Sequence, residues 1–435
     1  MMELSPTEVF DVKVLFKQEE YKTKLRKNLL NNTFFSRFKK NKVYDLAEEC
    51  FTNEFIWDET ASETERVQKL IEDIQADKFK APAEAVHAIA LVACYRPLIQ
   101  TDIADKALEY AEKADNQTYS KLLTYLIREP RQEEEIKQEI QTFGSITNKT
   151  SLEIKQQYDE NPYPRWRNIK YLADTLEKQD DVKIEILIAG CGTGLEVINI
   201  AKEHPHSRIT AVDLSTSCLA YAIRKTKEQG IDNVDFYCGD LLEIKELGKT
   251  YDYIVVTGVL QQLENPLQGW RALADVLEPG GGMTVSLYSE LARYPVNLGR
   301  QYIHDNHLEC NIKDVRKFRH HLKTDLPKEK PLVRLALGRG FYSFSEMRDI
   351  LFPVLEQQFT IHQIKEALEE TGLIFNGFIP KDKRLDDFLA QHPYEEDRRN
   401  LDLWHEYEVA NPLSFTGMYQ IACLKPAAEE GEKAA

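Results

Sequence analysis

The sequence predicts a doubly wound α/β domain that follows a helical region. Five short apolar runs alternate with helical patterns after residue 183, and a glycine-rich turn separates the first run from its helix. A carboxylate follows each of the next two runs. Short continuous apolar runs are typical of strands buried on both faces of a parallel sheet, and their alternation with helices indicates this fold class.

Composition limits the partners and the compartment. The 435 residues carry a formal net charge of -16, so the surface as a whole repels phosphate backbones and anionic membranes. The seven cysteines are scattered without C-x-x-C spacing, which indicates a reducing compartment and no metal site. The N-terminus shows no signal peptide, and the most apolar run, at 88–95, is shorter than the ~20 residues that span a bilayer. We therefore expect a cytoplasmic protein that binds neither membranes nor nucleic acid.

Residues 1–150 are predicted to form a helical domain. Apolar residues recur there at spacings of three and four, and glycine is absent until Gly144. The last helix and polar connector at 131–150 mark the boundary with a second domain over 151–426. The acidic, alanine-rich tail at 427–435 is predicted to be disordered.

The second domain is predicted to begin with a helix near 167–178 and then to alternate strands and helices. Two mostly helical insertions interrupt this order, at about 289–360 and 380–413, and a helix over 361–371 lies between them. The predicted strands are 184–189, 208–213, 234–238, 251–257, 283–288, 373–379 and 416–424.

The turn after the first strand, in I-L-I-A-G-C-G-T-G-L-E-V at 186–197, carries glycines at 190, 192 and 194. Glycines between a strand and a helix let a ligand lie against bare amides at the helix N-terminus. The dinucleotide pattern G-x-G-x-x-G would need glycine where Leu195 stands. G-x-G-x-G is the variant used for S-adenosylmethionine. The alternative is a tight strand-to-helix turn without a ligand.

Three further features lie where an open α/β fold binds ligands, at the carboxyl ends of its strands. Asp213 ends the second strand, where a carboxylate can accept hydrogen bonds from two ribose hydroxyls. Asp240, just past the third strand, is placed to reach an adenine edge. T-G-V-L-Q-Q-L-E-N-P at 257–266 leaves the fourth strand into a loop at the same edge. The alternative for either aspartate alone is a helix cap.

Residues 184–290 resemble the class I S-adenosylmethionine-dependent methyltransferases, and W-R-A-L-A-D-V-L-E-P-G-G-G-M at 270–283 matches their helix, turn and fifth strand. The resemblance implies a Rossmann-like sheet of seven strands, the last one antiparallel, and S-adenosyl-L-methionine as cofactor. The cofactor-binding residues that it implies are Arg165, Gly190, Cys191, Gly192, Gly194, Asp213, Leu214, Asp240, Leu241, Thr257 and Gly258.

More narrowly, the chain resembles a bacterial group related to tetratricopeptide-repeat-associated methyltransferases. The resemblance rests on C-F-T-N-E-F at 50–55, Y-D-E-N-P-Y-P-R-W at 158–166, G-V-L-Q-Q-L-E-N-P at 258–266, L-Y-S-E-L-A-R at 287–293 and L-W-H-E-Y-E-V-A-N-P at 403–412. No tetratricopeptide repeat is recognisable in this sequence. The group implies no settled acceptor.

Residues 158–166, hereafter the aromatic segment, crowd two prolines and three aromatic residues into nine positions. Proline fixes φ and restricts its neighbour, so we expect a stiff loop. In the methyltransferases that it resembles, such a segment covers the cofactor and forms one lip of the acceptor site. Its aromatic rings suit a sulfonium and its arginine suits a carboxylate. The alternative is that the rings pack under the sheet. The residues suited to this covering role are Tyr158, Asn161, Tyr163, Arg165 and Trp166.

The acceptor side has no obvious general base, because Gln261 and Gln262 stand where many relatives have a His pair. Carboxylates facing the methyl donor would suit a cationic nitrogen, although each one alone is better explained as a surface or capping group. The groups proposed to orient or deprotonate an acceptor are Glu160, Glu290, His405 and Glu406. The predicted catalytic set is Tyr158, Glu160, Asn161, Tyr163, Glu290 and His405.

The sequence therefore predicts a methyltransferase acting on a protein or peptide side chain, with nitrogen favoured as the acceptor atom. A small-molecule or natural-product methyltransferase is the second reading, and a non-catalytic cofactor-binding or interaction protein is the third. The basic run K-D-V-R-K-F-R-H-H-L-K at 313–323 is interpreted as a solvated helix face, with an acidic protein or RNA partner as the alternative.

Overall fold

The computed structural model describes residues 3–31, 40–167, 183–328, 330–379 and 385–427. These residues form two compact units, Met1–Glu135 with Leu298–Phe352, and Ile136–Asn297 with Pro353–Ala435. The predicted helix near 167–178 falls almost entirely outside the described residues, as do the start of the second insertion and almost all of the predicted tail. No helix in the described part of the chain has both the length and the apolar character that a membrane crossing requires.

The helices and strands are numbered in chain order. The α-helices are α1 (Pro6–Asn31), α2 (Lys40–Thr52), α3 (Ala61–Gln75), α4 (Pro82–Ala93), α5 (Ala104–Ala114), α6 (Gln117–Leu123), α7 (Glu129–Lys137), α8 (Lys149–Glu160), α9 (Leu195–Glu203), α10 (Thr216–Glu228), α11 (Pro266–Val276), α12 (Tyr294–Asp305), α13 (Ile312–His320), α14 (Phe344–Leu351), α15 (Ile361–Thr371), α16 (Asp386–Gln391), α17 (Glu395–Arg398) and α18 (Leu401–Ala410). The strands are β1 (Gln141–Thr142), β2 (Glu185–Ala189), β3 (Arg208–Asp213), β4 (Val234–Cys238), β5 (Tyr251–Thr257), β6 (Leu277–Leu287), β7 (Ile374–Phe378) and β8 (Tyr419–Leu424).

The first unit is helical, and its polar core contradicts the solvated face predicted for 313–323. Arg319 of α13 is only 1% exposed, and its guanidinium donates to Glu19 Oε2 at 2.7 Å and to the carbonyl oxygen of Phe341 at 2.9 Å. Lys323 Nζ donates to the other oxygen of Glu19 at 2.5 Å. The interpretation was wrong for these two cations because a buried carboxylate on the distant helix α1 pairs with them.

The second unit is built on one sheet with the strand order β1-β4-β3-β2-β5-β6-β8-β7. Strand β8 is antiparallel to both neighbours, while the other pairings are parallel. The predicted α/β class and its seven-stranded Rossmann-like arrangement are confirmed. The sheet has an eighth strand, because β1 pairs with the edge of β4. Its two exposed residues carry no apolar pattern, so β1 could not be predicted from the local sequence.

Strand bounds agree best where the apolar signal is strongest. The predictions for β3, β4 and β5 match the structure at both ends. Strand β6 begins at Leu277, six residues before the prediction, because Leu277 pairs with Tyr251 of β5 and the residues up to Gly282 form an irregularity inside the strand. A Cβ on Gly281 would lie 2.8 Å from the carbonyl oxygen of Asp252, so only glycine fits beside β5 there.

Both faces of the sheet are covered by helices. Ile186 and Ile188 of β2 pack with α9 and α10, whereas Leu187 and Ala189 pack into the core that includes α11, α15 and α18. Successive side chains of a strand point to opposite faces, so one short run supplies both cores. The carboxyl ends of β2 to β6 are thereby left as the edge where a ligand can enter.

Helix α18, inside the second insertion, is attached to this sheet by a buried carboxylate. Glu408 is 2% exposed and accepts hydrogen bonds from Ser289 Oγ at 2.6 Å and from the Tyr419 hydroxyl at 2.6 Å. Burial raises the pKa of Glu408, and the two hydroxyl donors oppose that rise. Removing the carboxylate would leave two buried hydroxyls without this partner.

We expect Glu408→Ala to lower the free energy of unfolding by about 2–4 kcal/mol, since buried donors lose a charged acceptor. The matched control is Glu406→Ala, an exposed position on the same helix, for which we expect a change within about 0.5 kcal/mol. Denaturant unfolding followed by tryptophan fluorescence measures both. Equal stability of the two variants would show that Glu408 does not anchor α18.

Candidate functional site

The turn between β2 and α9, Gly190–Gly194, is hereafter the glycine turn. Gly190, Gly192 and Gly194 all have positive φ, at 73°, 50° and 82°. A Cβ on Gly190 would lie 2.0 Å from Val259 Cγ2, and one on Gly194 would lie 2.6 Å from the Cβ of Ala222. The outer two glycines are therefore required by packing. A Cβ on Gly192 would meet only the carbonyl oxygen of Tyr163, at 3.2 Å.

Asp213, at the end of β3, holds the glycine turn in place. Its carboxylate accepts the Gly192 N–H at 2.7 Å and the Ser215 N–H at 2.8 Å. Burial raises the pKa of Asp213 to about 6, although both backbone N–H groups favour the ionised form. A carboxylate has about four lone-pair sites, so two further donors such as ribose hydroxyls fit its acceptor capacity.

Three other predicted cofactor residues, which follow β2, β3 and β4 in the chain, have structural roles. Asp240 is 4% exposed and accepts the Leu242 N–H at 3.0 Å, so it caps the short helix Leu241–Leu247, the alternative that the sequence left open. The carbonyl oxygen of Leu214 accepts from Cys238 Sγ at 3.4 Å. Cys191 is buried in the glycine turn, and burial raises the pKa of its thiol.

At the end of β5 the backbone turns at Gly258, whose φ is 74°. Thr257 Oγ1 lies 3.4 Å from Glu196 Oε1 of α9. A Cβ on Gly258 would be 3.5 Å from Gln261 Nε2 and 3.4 Å from Met418 Cε. Gln261 is 1% exposed, and its Oε1 has no hydrogen-bond partner among the described residues. A buried amide oxygen without a partner is costly, so it is a candidate contact for a ligand.

The aromatic segment is helical in its first third, which corrects the prediction of a loop throughout. Residues 158–160 form the last turn of α8, and Asn161 is its C-cap. The helix ends there because Pro162 disfavours helical φ and ψ at the residue before it. Tyr158 contacts the loop after β5, because its hydroxyl accepts a hydrogen bond from Gln262 Nε2 at 2.6 Å.

The rest of the aromatic segment lies against the glycine turn. Thr193 Oγ1 donates to the carbonyl oxygen of Pro164 at 2.5 Å, and Trp166 Nε1 donates to the carbonyl oxygen of Thr193 at 3.2 Å. The Trp166 ring meets Tyr221 of α10 edge to face at 5.8 Å between centroids. Trp166 thus packs on the turn and on α10, while Arg165 beside it is half-buried.

Sequence reasoning missed Asp159, which lies between two residues that it did consider. Asp159 Oδ1 accepts from Ser215 Oγ at 2.8 Å, next to the N–H that Asp213 binds. The only sequence signal was a further carboxylate in a stretch already rich in polar groups. Its partner, the start of α10, lies more than fifty residues away in the chain, so no local pattern shows the pairing.

The acceptor-side candidates are dispersed. Glu160 is exposed and accepts from Gln156 Nε2 at 2.9 Å, and Glu290 is exposed just after β6. Asn161 and Tyr163 are half-buried in the aromatic segment. His405 packs its ring against His362 of α15, 4.1 Å between centroids, on the face of the sheet opposite α9 and α10.

Residues near both ends of the first predicted insertion, about 289–360, are joined to this edge by polar contacts that the sequence did not reveal. Arg293 Nε donates to Glu356 Oε1 at 3.1 Å, and both side chains are almost completely buried. The N–H of Gln357 donates to the carbonyl oxygen of Gln261 at 2.8 Å. These contacts hold the loop after β5 in a defined position.

The donor set of this edge fits S-adenosylmethionine. It provides an acidic acceptor at Asp213, bare backbone at Gly192 and a half-buried aromatic lining from the aromatic segment. Within the described ranges, no cluster of three or more His, Cys, Asp or Glu side chains could hold a metal ion.

Comparison with known proteins gives one family match. Residues 186–281 match the model of a methyltransferase domain. An uncharacterised protein from Synechococcus sp. is 25% identical over 296 residues, which cover 62% of this chain and 70% of that protein. The malonyl-[acyl-carrier protein] O-methyltransferase of Bacillus cereus is 32% identical over 150 residues, covering 33% of this chain and 54% of that enzyme.

Among solved structures, PKMT2 from Rickettsia typhi in complex with AdoHcy is similar at 19% identity and a TM-score of 0.43. The similarity covers 56% of this chain and 49% of that one. The chain thus spans about half the length of the named proteins that it matches.

We expect the affinity for S-adenosylhomocysteine to fall as the pH drops through about 6, because protonation of Asp213 removes the acceptor for the ribose hydroxyls. Below that pH the affinity should fall about tenfold for each further pH unit. Asp213→Asn should bind more weakly at neutral pH and lose this dependence. Calorimetric titrations between pH 5 and 8 measure both, and an unchanged pH profile in the variant would contradict the assignment.

We expect Gly190→Ala to disrupt the glycine turn through overlap with Val259, beyond the ~1–2 kcal/mol cost of positive φ. Gly230→Ala is the matched control, because its φ of 67° carries the same cost and nothing lies within 4 Å of a Cβ there. Val259→Ala combined with Gly190→Ala should recover the part of the loss due to overlap. Unfolding midpoints and S-adenosylhomocysteine affinity test this, and equal losses in the two single variants would refute it.

Proposed function

We propose that this chain, which contains a class I S-adenosylmethionine-dependent methyltransferase domain with S-adenosylmethionine as its cofactor, methylates a nitrogen of a protein or peptide side chain. The observation that carries the proposal is that the acceptor-side candidates combine a neutral amide acceptor with carboxylates. Buried Gln261 has an unpartnered amide oxygen beside Gly258, and Glu160 and Glu290 are exposed. Such an edge suits an acceptor that donates N–H and arrives with positive charge.

On the donor side, each of the site residues has a defined task in this proposal. Asp213 accepts the ribose hydroxyls. Arg165, half-buried in the aromatic segment, binds the carboxylate of the methionine part. Asp240 contacts the adenine while it caps its own helix. The aromatic segment excludes water around the sulfonium, and its rings attract the positive charge of the donor.

On the acceptor side, Gln261 orients the nitrogen but does not take its proton, because a carboxamide is not a base near neutral pH. The acceptor nitrogen first loses a proton to solvent or to an exposed carboxylate, Glu160 or Glu290. The lone pair that this frees forms the new bond to the methyl carbon while the carbon–sulfur bond breaks, and the electrons of the broken bond neutralise the sulfonium. Alignment supplies most of the acceleration in such an in-line displacement.

The net charge of -16 supports a cationic acceptor, because it steers basic peptides toward the protein. We further propose that the chain belongs to the bacterial group related to tetratricopeptide-repeat-associated methyltransferases, on the strength of the five sequence segments given above. A cytoplasmic location is part of this proposal and is supported by seven free cysteines, six of them buried.

The second candidate is O-methylation of a carboxylate on a small or carrier-bound molecule. The relatives named malonyl-[acyl-carrier protein] O-methyltransferase favour it, since several share this part of the sequence. A carboxylate oxygen has no proton to lose, so the lack of a strong base at Gln261 and Gln262 is compatible with that reaction too.

Alkali distinguishes the two reactions, because methyl esters release methanol in base and N-methyl groups do not. The protein is incubated with methyl-labelled S-adenosylmethionine and lysine-rich or arginine-rich peptides in one series, and malonyl-acyl carrier protein in another. We expect base-stable label in the peptides, and none with Asp213→Asn. Base-labile label on the carrier protein alone would replace the first function with the second.

A further inference from the structure

We propose that Asp159 is a positioning residue, which fixes the aromatic segment to the start of α10 and thereby sets the shape of the donor site. The role rests on the proposed function, since it concerns the site where that function places S-adenosylmethionine. Asp159 itself is not assigned a contact with the reacting atoms.

Asp159 contacts the N-cap residue and the first two residues of α10. Its Oδ1 accepts from Ser215 Oγ at 2.8 Å, from the Ser217 N–H at 3.1 Å and from Thr216 Oγ1 at 3.3 Å. Its backbone carbonyl accepts from Ser217 Oγ at 2.9 Å. Both the side chain and the main chain of one residue are therefore bound to the same helix end, where a negative charge is favourable.

The other carboxylate oxygen of Asp159 is held by a residue of its own helix, α8. Lys155 Nζ donates to Asp159 Oδ2 at 2.5 Å, one turn earlier on α8. Although burial opposes ionisation, the donors Lys155, Ser217 and Ser215 keep the pKa of Asp159 below its usual value. The residue is thus a charged bridge between α8 and α10.

The other end of the aromatic segment has a separate anchor. Pro164 and Trp166 bind Thr193 in the glycine turn, so Asp159 and Pro164 bracket the four residues between them. Within that span, the Tyr163 carbonyl lies 3.2 Å from where a Cβ of Gly192 would be. A short span fixed at both ends holds Tyr163 at this distance. Release of the Asp159 end would let it move away from the turn.

Asp159 is also coupled to Asp213 through charge. Ser215 donates its hydroxyl to Asp159 and its N–H to Asp213, so two carboxylates meet at one residue. The negative charge of Asp159 adds to the burial that raises the pKa of Asp213, and Lys155 acts in the opposite direction. The other titratable groups around Asp213 are the thiols of Cys191, Cys218 and Cys238.

The test compares Asp159→Ala, Asp159→Asn and the control Glu153→Gln, whose side chain lies on the same helix in an exposed pair with Lys149. S-adenosylhomocysteine binding is measured by calorimetry across pH 5 to 8. We expect about tenfold weaker binding at pH 7 in the Ala variant, from loss of a charged hydrogen-bond acceptor. The Asn variant should keep part of the affinity, since it retains an acceptor for Ser215.

The pH profile separates positioning from general stability. Loss of the neighbouring negative charge favours the ionised form of Asp213, so the pH at which affinity falls should move lower in both Asp159 variants. A merely structural role would weaken binding without this shift. If Asp159→Ala does not fold, the pH midpoint of Asp159→Asn decides.

The proposal is overturned if Asp159→Asn binds S-adenosylhomocysteine with the affinity and pH profile of the unmodified protein. It is also overturned if Glu153→Gln shows the same changes. Failure of the unmodified protein to bind S-adenosylhomocysteine would instead refute the donor site, and with it the proposed function.

Discussion

The candidate donor site depends on the pair of hydrogen bonds that Asp213 accepts from Gly192 and Ser215. One carboxylate thereby joins the end of β3, the turn after β2 and the start of α10. The N–H groups of Gly190 and Cys191 both donate to the carbonyl oxygen of Val212, so the turn is also held by the strand that carries Asp213. A binding loop fixed at several points is preorganised, which lowers the entropic cost of binding.

Much of the fold was predictable because its signals are local. Strands β3, β4 and β5 are continuous apolar runs, and the glycine turn has a fixed spacing. What failed depends on partners distant in sequence: β1 exists only through β4, and Arg319 is buried only because Glu19 pairs with it. The site divides in the same way. Proximity of Gly192 and Asp213 follows from parallel neighbouring strands, whereas the bridge made by Asp159 requires knowledge of how α8 meets α10.

Buried polar contacts add to the apolar core around the ends of β5 and β6. Glu408 joins α18 to Ser289, Arg293 joins the end of β6 to Glu356, and Gln261 is held through Gln357. Such contacts demand specific geometry and penalise alternatives, because an unmatched buried polar group is costly. They favour one arrangement of the segments that adjoin the sheet, at a modest net gain in stability.

The position of β8 has a consequence for biosynthesis. Strand β8 lies between β6 and β7, although it is the last of the three to be translated, and β7 pairs with no other strand of the described sheet. During translation β7 therefore leaves the ribosome with both edges unpaired, while β2 to β5 already have their neighbours and β6 lacks only β8. Unpaired edges of nascent strands are where chains associate wrongly. We infer that the part of the sheet from β1 to β6 can form first, and that completion of the edge made by β7 and β8 waits for the segment that follows α18.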